Sequence, residues 1–144
     1  NGELITGATL LLQSGSSLHI RKEMKEILRS RSRKFPRKLP NCGSVFVSDP
    51  EMYKEHGPPG SIIEKLGFKG RMRGGAVVSP LHANFIVNTG RASSNDVLML
   101  IREISRTAQR DLGAPLRAEV RYIAPDGKSF AATDVPEERL GQKA

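Results

Sequence analysis

The spacing of hydrophobic and polar positions changes several times along the chain, and each change marks an element. Residues 4–12 alternate loosely and close on three consecutive Leu before the turn-forming Gln13, Ser14 and Gly15, which predicts a strand. From residue 20 to 33 apolar side chains recur at Ile20, Met24, Ile27 and Leu28 with charge elsewhere, the stripe of an amphipathic helix that must stop before Pro36. Residues 35–43, with Pro36 and Pro40, read as a constrained loop, and residues 44–47 as a short strand. After Asp49 and Pro50 an exposed loop is expected as far as Pro59, with Met52 and Tyr53 its only large side chains. A short helix over residues 60–66 closes at Gly67, which suits a left-handed C-terminal cap. Residues 76–78 and 84–87 read as buried strands joined by Ser79, Pro80, Leu81 and His82. The longest helix is capped by Ser93 or Ser94, carries Asp96 in its first turn, shows one face of Val97, Leu98, Leu100, Ile101, Ile104 and Ala108, and ends at Gly113. Residues 116–123 and 129–132 form a hairpin about Pro125, Asp126 and Gly127, and the polar stretch from Val135 onward is expected to fray. The pattern predicts an α+β fold: a mixed or antiparallel sheet, two main helices and one short one, in a single domain over residues 1–134 with a polar tail at 135–144.

Composition narrows this further. A chain of 144 residues builds one core, and 38% hydrophobic with 26% charged residues excludes wholesale disorder. Aromatic residues make up 5% and Trp is missing, so a base-stacking platform is disfavoured and nucleic acid is not the expected partner. The net charge of +8 favours anions, with much of the excess in Arg29, Arg31, Arg33, Lys34, Arg37 and Lys38. The same run suits a solvated helix end whose cations complement the helix dipole, with equal weight. The lone Cys42 excludes an internal disulfide, and His19, His56 and His82 show no metal spacing. No apolar stretch approaches the roughly 18 residues of a membrane span, and no secretory leader is seen. Because the sequence opens on Asn1 rather than Met, it is expected to be part of something longer.

Three segments concentrate chemistry. Ser44 follows the flexible Gly43 at the mouth of an apolar run; residues 70–88 are rich in Gly, Ser and His; and residues 116–123 read as a strand carrying Glu119 and Arg121 on one face. A hydroxyl, a carboxylate and a guanidinium suit an acid substrate and the movement of a proton. Each has a plainer reading: Ser44 as a turn residue bonding its own backbone, Glu119 with Arg121 as a surface ion pair worth about 0–1 kcal/mol, Cys42 as a small buried filler, His82 as a cap for the loop before Asn84. Gly70, Gly74 and Gly75 do not sit between strand and helix, so they make no dinucleotide fingerprint and serve tight packing or close substrate approach instead.

These segments also carry a resemblance. Arg31, Pro36 and Pro40 followed by "NCGSVF" and Pro50, then "GSIIEKLGFKGRMRGGAVVSPLHANFIVNTGRASSNDVLMLI", then "LGAPLRAEVRYI" resemble the C-terminal half of the UDP-N-acetylenolpyruvoylglucosamine reductase (MurB) family. The resemblance runs to Ile123 and rests on three separated motifs. It implies a substrate-binding domain whose N-terminal flavin-binding portion has no counterpart in these residues. The family takes hydride from NADPH through FAD to the terminal alkene carbon of UDP-N-acetylglucosamine enolpyruvate, in the cytoplasm, to make a peptidoglycan precursor. By motif position, Ser44 in "GSVF" matches its proton donor and Glu119 in "AEVR" matches the Glu that stabilises the developing charge. The implied substrate contacts are Lys34, Arg37 and Lys38 in the basic loop, Ser48, and Arg121. One departure stands out: where the family reads Lys-Asn-Pro, this chain reads Val47, Ser48, Asp49, Pro50, which removes a cation and adds a carboxylate near the diphosphate. An enzyme module is therefore weighed against a non-catalytic relative that binds nucleotide sugars or polyanions.

Overall fold

A computed structural model describes residues 4–140. The chain divides into two compact units, residues up to Arg31 and residues from Ser32 onward. In the first, residues 4–16 have no regular secondary structure, so the strand expected over residues 4–12 does not form. Loose alternation marks a strand only where another strand accepts its backbone groups, and here Leu4, Ile5, Leu10, Leu11 and Leu12 are all exposed. Helix α1 (Ser17–Lys34) begins three residues before its apolar stripe. That stripe is exposed too, with Ile20 at 42% and Met24 at 55%.

The second unit holds the core. Helices α2 (Pro50–Glu55) and α3 (Pro59–Lys65) lead into strands β1 (Met72–Arg73), β2 (Ala76–Val78) and β3 (Ile86–Asn88). Helix α4 (Ser94–Leu112), the hairpin β4 (Arg121–Ile123) and β5 (Ser129–Ala131), and a 3-10 turn at Glu137–Arg139 complete it. The first three strands form an antiparallel sheet in the order β1-β2-β3, with Val77 opposite Met72 on one side and Val87 on the other. Both sheets are antiparallel, so the α+β class stands and the mixed alternative falls away. The face of α4 buries Leu100, Ile101 and Ile104 against Phe46, Ile62, Ile63 and Val78. At its N-terminus the Ser93 hydroxyl accepts from Asp96 N at 3.1 Å while the Asp96 carboxylate accepts from Ser93 N at 2.9 Å. At the other end Gly113 adopts φ +66°, a conformation that costs glycine least.

Three expectations are corrected here. The loop expected from Asp49 to Pro59 contains α2: Asp49 accepts from Glu51 N at 3.0 Å, Pro50 opens the helix, and Met52 is buried rather than exposed. The fraying expected from Val135 does not occur in the described part of the tail. Val135 is 2% exposed, its carbonyl accepts from Arg102 Nη2 at 2.7 Å, and Glu137 accepts from Arg102 and Arg106 at 3.0 Å each. Finally, residues 44–47 and 116–120 are not regular strands. They touch through one antiparallel bridge, Phe46 opposite Ala118, and Asn41 bridges to Val87 in the three-stranded sheet.

Candidate functional site

Residues 41–48 run between the three-stranded sheet and the β4–β5 hairpin, and side chains from elsewhere fix their course. Asn41 is the first anchor. Its Nδ2 donates to Leu39 O at 2.8 Å and Pro36 O at 3.1 Å, and its Oδ1 accepts from Gly43 N at 3.0 Å. The basic loop and the turn before Ser44 are thus braced by one amide. Gly43, at φ +85°, lets the chain reverse without a side-chain clash. Asn84, 3% exposed, is the second anchor: its Oδ1 accepts from Phe46 N at 2.9 Å, its Nδ2 donates to Phe46 O at 3.0 Å, and its own carbonyl accepts from Val45 N at 2.9 Å. The side chain behaves as a strand partner two bonds wide. Ser44 is half-buried just before this clamp, and its hydroxyl has no hydrogen-bond partner among the described residues. The reading of Ser44 as a turn residue that bonds its own backbone is therefore corrected; Asn41 performs that task.

Glu119 reaches the same place through the backbone. Its N–H donates to Val45 O at 2.8 Å, and the next amide, Val120 N, donates to the same carbonyl at 3.4 Å. Two successive amides on one acceptor are the mark of a β-bulge, with Glu119 and Val120 opposite Val45. This corrects two expectations. Glu119 stands in a bend before β4 rather than on a strand, and the extra residue interrupts the alternation that would put Arg121 on its face. Arg121 instead bonds across the hairpin, Nε to Ser129 Oγ at 2.8 Å and Nη2 to Ser129 O at 3.3 Å.

Three clefts surround this segment. One, of about 380 Å3, is lined by Ser44, Ser48, Tyr53, Ser61, Lys69 and His82 among others. A second, of about 540 Å3, runs beneath Arg37 and Lys38 over an apolar floor that includes Pro36, Pro80 and Val87. Phe35 and Leu81 line both. The third, again about 380 Å3, is mostly apolar and holds Arg121 beside Asn41, Cys42 and Tyr122. Ser44 and Ser48 therefore share one cleft and Arg37 and Lys38 its neighbour, while Arg121 lines the third. Lys34, at the end of α1, and Glu119 are exposed and line none of the three. Cys42 is exposed, contrary to its reading as buried filler, and burial of its thiol group still raises its pKa.

The carboxylate of Asp49, expected to lie near the diphosphate, has a structural use. Asp49 caps α2 and pairs with Arg117 Nη2 at 3.2 Å, so its charge is engaged within the fold. Residues that the sequence did not single out as partners of Ser44 include Tyr53, Lys69 and Asn84. Lys69 pairs with Glu64 at 2.7 Å in the Ser44 cleft. His82 stacks on Phe35 with ring centroids 5.2 Å apart and planes 15° off parallel. Burial and then the charge of Lys69 hold its pKa below the usual histidine value. Gly74 and Gly75 form the β1–β2 turn, and a Cβ on Gly74 would strike the Asp96 carboxylate while one on Gly75 would strike the Arg91–Ala92 backbone. They are packing glycines.

Comparison with known proteins identifies the family. Residues 35–123 match the family model of the UDP-N-acetylenolpyruvoylglucosamine reductase C-terminal domain. The chain is 45% identical over 130 residues to UDP-N-acetylenolpyruvoylglucosamine reductase 1 of Corynebacterium glutamicum, covering 90% of this chain and 39% of that protein. It is 40% identical over 121 residues to the reductase of Nitrosospira multiformis, covering 84% and 33%. The crystal structure of the Thermus caldophilus reductase (MurB) superposes with a TM-score of 0.57 at 34% identity, covering 74% of this chain and 35% of that one. The chain spans about two fifths or less of the length of these relatives.

Proposed function

The chain belongs to the UDP-N-acetylenolpyruvoylglucosamine reductase C-terminal domain family, and from that membership we propose that it is the substrate-binding, proton-donating part of a UDP-N-acetylmuramate dehydrogenase. The substrate is UDP-N-acetylglucosamine enolpyruvate, and the setting is the cytoplasm; among the described residues no helix is long and apolar enough to cross a membrane. FAD, held mainly by a further portion of the full-length protein and reduced by NADPH, supplies hydride to the terminal carbon of the alkene when bound. The residues of this chain do the rest. The Ser44 hydroxyl gives its proton to the neighbouring carbon, so that hydride and proton together saturate the double bond. A serine is a feeble acid, and it serves only where a strongly basic carbon forms within about 3 Å of a fixed hydroxyl. The Asn41 and Asn84 anchors supply that fixity. Glu119 stabilises the charge that gathers on the substrate carboxylate, and Arg37, Lys38 and Lys34 attract the diphosphate, with Ser48 and Arg121 as further contacts.

One observation supports this reading above the others: Glu119 N–H donates to the carbonyl of Val45, the residue directly after Ser44. The proton donor and the acid are thereby joined through one peptide hydrogen bond, although 75 positions separate them in the sequence. In the full-length protein Ser44→Ala should leave flavin reduction by NADPH intact and slow flavin reoxidation by substrate by about 100-fold or more. Unchanged reoxidation would remove Ser44 from the reaction.

A further inference from the structure

His82 and Asn84 connect the Ser44 segment to the basic loop. Asn84 holds residues 45 and 46 by three hydrogen bonds. Its own backbone N–H donates to His82 Nδ1 at 3.3 Å, which makes Nδ1 an acceptor and leaves the proton of the neutral ring on Nε2. The Ser79 hydroxyl, on a residue 1% exposed, fixes the approach to that ring by accepting from Leu81 N at 3.2 Å and His82 N at 3.4 Å. The far face of the imidazole carries Phe35, and Phe85 closes the cluster edge-on at 5.0 Å from His82 and 5.5 Å from Phe35. Phe35 is the first residue of the basic loop, and its carbonyl accepts from Arg37 N at 2.9 Å. One ring therefore has two distinct contacts: a nitrogen that faces the Ser44 clamp, and a face that seats the cationic loop.

We infer that His82 is a positioning residue, in a relay with Asn84, that sets the Ser44 hydroxyl and the Arg37–Lys38 loop independently through its Nδ1 atom and its ring face. The inference rests on the reading of Ser44 and the loop given above and extends it to two residues that act through them. Displacing a reacting group by about 1 Å costs up to about 100-fold in rate, so an aligned Nδ1 should act on the chemical step. A loosened loop should act on substrate affinity.

Two variants of the full-length protein separate the contacts. His82→Phe keeps a flat ring for Phe35 and loses the acceptor; His82→Asn keeps an acceptor near the Nδ1 position and loses the ring. Hydrogen exchange of the peptide spanning residues 44–47 reads the clamp, and stopped-flow flavin reoxidation and KM read the reaction. His82→Phe should speed exchange at Val45 and Phe46 and slow reoxidation by about 10-fold, with KM within about twofold of wild type. His82→Asn should leave exchange and reoxidation within about twofold and raise KM by about 10-fold. A role in stability alone would move both variants in the same way, and that result, or unaltered exchange in His82→Phe, would overturn the relay. Asn84→Ala tests the other end but removes a buried clamp, so the half-buried His82 carries the decision. If the wild-type protein failed to turn over the enolpyruvyl UDP-sugar, the function proposed above would fall, while the exchange comparison would still decide the relay.

Discussion

Truncating Asn84 to Ala would leave the buried N–H and C=O of Phe46 without partners. Each unmade buried group costs about 1–3 kcal/mol, so Asn84→Ala is expected to destabilise the protein by at least about 2 kcal/mol, read as a shift in the urea midpoint. His82 adds a pH dependence whose sign follows from its lowered pKa. A depressed histidine gives stability that is complete above its unfolded value and is lost as pH falls through the folded one. Wild type should therefore lose stability relative to His82→Phe as pH drops below about 6.5, and equal pH slopes for the two would refute that. Ser44 was legible in the sequence because Gly43 and the apolar run beside it are local signals. Asn84 was read only as the start of a strand, whereas it stands in the turn before β3, and its partner Phe46 lies 38 positions away, where no local pattern announces such a bond. The same holds for Lys69 and Tyr53, which enter the Ser44 cleft only once α2, α3 and the sheet are in place.

Helix α4 was readable from end to end because all its signals agree: a Ser cap, an acid at the third helical position, an apolar face and a terminal glycine. Ser93→Ala should cost about 1 kcal/mol in thermal or urea unfolding. Asp96 accepts from the Ser93 amide and hydroxyl and from the Gly75 amide, with Arg73 nearby, and these interactions lower its pKa. Its stabilising effect is therefore present above the usual carboxylate range and lost as pH falls below it. The urea midpoints of wild type and Asp96→Asn should differ at neutral pH and converge toward pH 2. Helix α2 was also announced, by Asp49, Pro50 and Glu51, but the short polar stretch that follows carries too few apolar residues for periodicity to register. Residues 4–12 failed in the opposite direction: a pattern was present and a pairing partner was not. In α1 the pattern was right and the burial was not. Replacing Ile20, Met24, Ile27 and Leu28 with Gln should sharply reduce ANS fluorescence of this chain, because those side chains are exposed.

At the scale of the molecule, the fold class and the order of the second unit follow from hydrophobic spacing and caps, whereas the site depends on contacts between segments far apart in sequence. Ser44 and Ser48 share a cleft, Arg37 and Lys38 line the one beside it, and Arg121 faces a third, whereas the resemblance implied that all of them meet one substrate. The charge of +8 leaves a simple choice of ligand class. Titrating the full-length protein with a UDP-sugar and with nucleic acid should give binding to the first that changes little with salt, and a steep salt dependence on the second alone would return the polyanion reading. The doubled contact on the Val45 carbonyl has an evolutionary corollary. The chain carries one surplus position opposite Val45, and Glu119 is one of the two residues that share it, so a gene that lost the single codon for Glu119 would leave Val120 to meet that carbonyl alone and would remove the bulge and the carboxylate together.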